Sequence, residues 1–110
     1  MDKSSLTALV AEHLGNARAA SSGRSAHTEY GGSGRTLRQT LIALRAGEQL
    51  DEHENPGGAT VQVLHGRVRL TGGDVARDGA GGDLLVVPDR RHTLHALEDS
   101  AVLLTVAKLA

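Results

Sequence analysis

The chemistry open to this chain is carried by histidines, carboxylates and arginines. Its 110 residues include six histidines and no cysteine, which excludes thiolate nucleophiles, disulfides and thiolate zinc sites. His53 lies in the acidic run Asp51-Glu52-His53-Glu54, a composition that suggests acid–base work. In an extended segment alternate residues share a face. Asp51 then joins His53, able to orient its ring and fix its tautomer, while Glu52 and Glu54 turn to a solvated rim. His92 follows Arg90-Arg91, a pair able to hold a carboxylate or phosphate, although a charged turn tip is the commoner origin of such a pair. His13, His27 and His95 are expected at the solvated surface. No Gly-x-Ser-x-Gly elbow, Walker loop or His-Glu-x-x-His helix occurs, so covalent catalysis has no visible nucleophile and the catalytic residues are unknown.

The elements that must position these residues follow from composition and periodicity. Lys+Arg is 12 and Asp+Glu is 13, a net charge of −1, which argues against a nucleic-acid or membrane-surface partner. Tyr30 is the sole aromatic residue, so base-stacking platforms and aromatic cages are excluded. No helix-turn-helix accompanies the chain, which disfavours a DNA-binding regulator. The core must come from Leu, Val, Ala and Ile42, and aliphatic walls of this kind suggest an open interior cavity. The length suits one domain with no room for a second core.

Near the N-terminus, Leu6, Leu9, Val10 and Ala17 stand at helical spacing behind Ser4 or Ser5 as N-cap, and Ser21-Ser22-Gly23 ends the helix. So short a helix must dock on something larger. Glu12 and His13 interrupt the apolar stretch before it could form a secretory core or membrane span, so a cytoplasmic location is expected. From Thr36 onward, Val/Leu/Thr runs punctuated by glycine predict strands at roughly 36–46, 59–65, 67–71, 83–88, 92–97 and 101–108. Shorter pieces are expected near 27–30, 50–54 and 74–77. In the strand at 67–71 Arg67 and Arg69 alternate with Val68 and Leu70 as an outer face. Turn signals about every ten residues predict an all-β sandwich or barrel. The chain divides into residues 1–35, a helix with a linker or arm running from Ser21 to Gly34, and a barrel over 36–110.

Two stretches carry a family resemblance. Gly47 to Gly66 has His53 at the interval that follows the first glycine of a two-part motif, and Gly82, Pro88 and His92 fit the second part with a turn one residue short. Together with the intervening Arg67-Val68-Arg69-Leu70 they resemble the cupin superfamily, over about two thirds of the chain. The resemblance implies an all-β jelly-roll barrel (the double-stranded β-helix) with a short N-terminal α-helix. It further implies a homodimer in which Ser25–Tyr30 and part of Thr36–Ala46 meet the partner's sheet, closing an edge that would otherwise invite aggregation; the alternative is a disordered tail with the helix docked on its own barrel.

In the family three histidines and a glutamate hold a divalent metal such as Fe, Mn, Ni, Cu or Zn in the barrel mouth. Carried over, His53 and His92 match the first and last histidines, Asn55 stands at the second, and Ala59, beside Thr60, takes the glutamate position. Half the set is lost, which implies a metal site that is incomplete, with the ion weakly held or absent. His65 and His95 are the spare imidazoles: His65 is in phase with Ala59, Val61 and Val63 but sits at the strand end beside Gly66, His95 falls on the face opposite His92, and a bulge could re-aim either. Two readings follow. One is a small-molecule-binding or sensing barrel with His53, Asn55, Arg91 and His92 around its ligand; the other is a metal-dependent oxygenase or isomerase acting on a small oxygenated substrate. A metal-free sugar-nucleotide isomerase ranks last, because the barrel lacks the aromatic residues that chemistry uses.

Overall fold

The computed structural model describes residues 1–52 and 58–108. In chain order these form α1 (Leu6–Ala19), β1 (Arg24–Tyr30), β2 (Leu37–Leu44), β3 (Gln49–Glu52), β4 (Ala59–His65), β5 (Arg67–Gly72), β6 (Val75–Ala80), β7 (Leu84–Val86), β8 (His92–Ala96) and β9 (Ser100–Ala107). The strands make two antiparallel sheets, ordered β1-β2-β9-β4-β7 and β3-β8-β5-β6. This is the expected all-β jelly roll with one N-terminal helix. The stretch read as a linker contains β1, which pairs with β2 of its own chain from Arg24↔Leu44 onward.

The core lies between the sheets. Ile42, Leu44, Val61, Val63 and Val102 face Val68, Leu70, Leu94 and Ala96 across it. Each fully buried large side chain contributes roughly 1.5–3 kcal/mol relative to exposure. The sheets close tightly at Gly79, where a Cβ would stand 3.1 Å from Leu85 and 3.2 Å from Val63. Arg67 and Arg69 are exposed, as their alternation with buried Val68 and Leu70 predicts.

A buried serine secures the β4–β5 turn. Ser100 accepts a hydrogen bond from the Arg67 N–H at 3.1 Å, and its own proton can go to the carbonyl of Arg67 or Glu98, at 3.0 and 2.8 Å. Gly66 turns the chain at φ +84, and a Cβ there would overlap the Asp99 carbonyl oxygen and the Ser100 hydroxyl. Both the backbone angle and the missing space therefore require glycine.

The helix docks on the outer face of the five-stranded sheet. Ser5 is its N-cap, its hydroxyl accepting from the Ala8 N–H at 3.3 Å. Ala43 and Ala101 sit opposite each other in the β2–β9 register and are fully buried beneath Leu14 and Ala17, with Val10 packed beside them. Small residues on the sheet let the helix approach closely. The docked stripe runs through Val10, Leu14 and Ala17 and includes His13, which the sequence places at the solvated surface. His13 is 8% exposed; its Nδ1 is 2.7 Å from the Ser25 hydroxyl, and its ring stacks over His27 at 6.0 Å. The pairing of β1 with β2 brings Ser25 alongside Ala43 and supplies the polar partner that makes this burial tolerable.

Asp99 joins the helix end to two turns. Its carboxylate accepts from Arg18 Nε at 2.7 Å and from the Ala46 N–H at 2.8 Å. The Arg18 contact first, and then the Ala46 N–H, hold the Asp99 carboxyl below its usual range. A depressed carboxyl stabilises the fold above the unfolded-state value, about 3.9 for Asp, and that stabilisation fades as pH falls through the folded value. Asp99→Asn is therefore expected to flatten the loss of stability seen by denaturant melts as pH drops below about 4. Gly66→Ala is expected to cost more than about 2 kcal/mol in the same measurement, and a neutral substitution would contradict the packing described for that turn.

Candidate functional site

The first residue of β8 marks the site. His92 pairs across the sheet with Glu52 on β3 and Gly72 on β5. On β8, His92, Leu94 and Ala96 share the inner face, while Thr93 and His95 take the outer, as strand alternation predicts. His92 Nδ1 lies 2.9 Å from the Arg90 carbonyl oxygen. A carbonyl only accepts, so in the neutral ring Nδ1 carries the proton and Nε2 keeps its lone pair. The ring is thereby oriented by the chain that precedes it, with a basic nitrogen left to accept a hydrogen bond or a proton.

The His92 side chain borders the aliphatic core. His92 lines a void of about 20 Å³ with Ile42, Leu50, Val61, Leu70, Leu94 and neighbouring β9 residues, enough for roughly one water molecule. Among the described residues, the part of the interior that His92 borders is filled by aliphatic side chains. Leucines and valines from both sheets interdigitate, and Gly79 lets the sheets come together.

Other sequence-predicted residues fall at different places. His53 and Asn55 lie outside the described residues. Arg91 is exposed on the turn before β8. Asp51, expected to orient His53, accepts hydrogen bonds from Gln49 Nε2 at 3.1 Å and Thr93 Oγ1 at 3.2 Å. His95 stands across from Gln49 and Arg69 on the outer row. A register shift does occur between Val63 and His65, but it sets His65 opposite Ala101, in the row beneath the helix and away from His92.

The donor set can now be compared with what a metal needs. Ala59, at the glutamate position, is apolar and packs against the core. Among the described residues no three His, Cys, Asp or Glu side chains converge to hold an ion. His92 is the single inherited ligand there, and one imidazole in an aliphatic wall does not make a divalent site. No chemical step is derived through a metal.

A larger void opens along the barrel's edge. It measures about 520 Å³ and lies between β6 and β7, the edge strands of the two sheets. Arg77 lines it. Its role is invisible in sequence, because the inner face of β6 is defined only by the pairing of Arg77 with Leu70 and of Gly79 with Val68.

No family model and no curated protein matches the sequence. Solved structures do match the fold. A conserved protein of unknown function from Streptococcus pyogenes is 27% identical with a TM-score of 0.73, covering 83% of this chain and 79% of that one. An RmlC-like cupin from Desulfovibrio desulfuricans is 25% identical with a TM-score of 0.65, covering 76% and 81%. A cupin superfamily protein from Desulfitobacterium hafniense is 19% identical with a TM-score of 0.71, covering 78% of each chain. The two sheets, the helix and these likenesses define a jelly-roll barrel of the cupin class. The chain has the fold of a small cupin.

The ring orientation can be checked directly. Long-range ¹H–¹⁵N spectra above pH 8 are expected to show His92 protonated at Nδ1, and a ring protonated at Nε2 would contradict the Arg90 hydrogen bond.

Proposed function

We propose that this cupin binds or senses a small polar molecule at its barrel mouth without carrying out catalysis, and that it works in the cytoplasm as a homodimer. The observation that carries the reading is His92: an imidazole pinned at Nδ1 by the Arg90 carbonyl, so that Nε2 stays outside that bond, in a side chain that borders the aliphatic core, with Ala59 where a metal-binding carboxylate would stand. A lone oriented acceptor in apolar surroundings discriminates ligands by the hydroxyl or N–H they donate, since a ligand without one leaves the nitrogen unpaired. His53, Asn55 and Arg91 complete the ligand shell; the first two enter through the sequence motif alone. The location accords with the described residues, none of whose helices is long and apolar enough to cross a membrane. For the homodimer, β1 offers a sheet edge to a second copy.

Elemental analysis of untagged protein purified without added metal tests the reading. Iron, manganese, nickel, copper and zinc are each expected well below one equivalent. Thermal-shift measurements against a panel of small hydroxy acids and sugar acids are expected to find a ligand whose effect disappears in His92→Ala. Stoichiometric metal that is lost in His92→Ala would replace this reading with the metal-dependent enzyme.

A further inference from the structure

Of the exposed large aliphatic residues, three gather at one place. Val75, Leu84 and Val86 are 48%, 62% and 76% exposed, and all three line the 520 Å³ groove between β6 and β7. Leu70, Leu85 and Pro88 complete its apolar wall. The volume falls within the range of small-molecule sites, and walls of this kind with a few fixed polar groups are their usual make-up.

The polar groups are cationic. Arg77 and Arg90 both line the groove, and among the described residues neither guanidinium has a carboxylate partner. Arg77 donates only to its neighbour's carbonyl, Ala76, at 2.9 Å. Asp78 also lines the groove, but its carboxylate is engaged at two points by Arg69, at 2.7 and 3.0 Å. Two bare glycines seat Arg90. A Cβ at Gly72 would stand 2.7 Å from the Pro88 ring and 3.7 Å from Arg90 Cδ, and one at Gly73 would stand 3.0 Å from an Arg90 guanidinium nitrogen. The Pro88–Arg90 turn thus lies down on the β5–β6 hairpin and sets a cation at the groove's end.

We propose that the β6–β7 groove is a binding site for an amphipathic organic carboxylate, its apolar body against Leu84, Leu85 and Val86 and its carboxylate held by Arg77 and Arg90. Guanidinium pairs carboxylate in two-point geometry, and exposed aliphatics flanking unpaired cations match a ligand with one apolar and one anionic end. A second copy of the chain is the poorer occupant. A two-fold contact sets the same patch against itself, and here it would bring Arg77 and Arg90 toward their own equivalents. His92 does not line this groove, although Leu70 borders both voids.

Calorimetry with sodium octanoate, 1-octanol and acetate tests the proposal on the whole chain. Octanoate is expected to bind at one equivalent, at least tenfold tighter than either octanol or acetate. The exposed substitutions Arg77→Gln and Arg90→Gln together are expected to weaken octanoate at least tenfold while circular dichroism is unchanged. Equal binding of octanol and octanoate would overturn the proposal, since the cations would then contribute nothing. So would undiminished octanoate binding in the double variant, which leaves Arg77 as a guard against edge-to-edge pairing. Absence of octanoate binding together with a dimer broken by Leu84→Asp would assign the groove to a second copy instead.

Discussion

The pairing of β2 with β9 is buried on both faces, and the remaining structure is arranged around that pair. On the inner side Ile42, Leu44 and Val102 supply the core; on the outer side Ala43 and Ala101 receive the helix. A strand buried twice must be apolar at successive positions, and residues 41–44 and 100–103 are buried without a break. Alanine on the outer row and branched aliphatics on the inner row divide the work. Small side chains admit a helix at close range, and large ones fill the gap between sheets. Both edges of the five-stranded sheet, β1 and β7, are fastened through this pair or through β4 beside it.

The site chemistry is a consequence of how completely the barrel fills. A chain almost free of aromatic residues still packs its described interior with leucine and valine, and the two sheets approach closely where one strand gives up its side chain at Gly79. The imidazole is left as a polar point in an aliphatic wall, oriented through its other nitrogen by a backbone carbonyl. Such an arrangement is suited to recognition through one directed hydrogen bond. A void of about 520 Å³ lies where β6 and β7 part, and its polar groups are Arg77, Arg90 and Asp78, with no histidine. Two chemically different surfaces therefore coexist on one small barrel.

Electrostatics secures the periphery. Asp99 links Arg18 at the helix end to the N–H of Ala46 beyond β2, and Asp78 answers Arg69 across the β5–β6 hairpin. Both carboxyls are held below their ordinary range by these partners, chiefly by the arginine hydrogen bond in each case. Their exposure makes them modest contributors to stability, but each removes an anion from a place where a free one would matter. For Asp78 that place is the β6–β7 groove, which keeps a net cationic rim because its one carboxylate is engaged.

Much of the barrel is legible residue by residue. Alternation marks Val68 and Leu70 as inner and Arg67 and Arg69 as outer, the Gly/Pro punctuation separates the strands, Ser5 caps the helix, and the interval from Gly82 through Pro88 to His92 marks a strand whose first residue faces inward. These features depend on neighbours a few positions apart, and local geometry sets them before the chain folds. Other features depend on residues far apart in sequence. His13 is buried because Ser25 arrives beside it, and His65 turns outward because β4 slips register against β9. Arg77 lines a groove because β6 is an edge with no strand beyond it. Periodicity can state which residues share a face, but only the assembled sheets decide what that face meets, since distant pairing determines which polar groups find partners and where space is left unfilled.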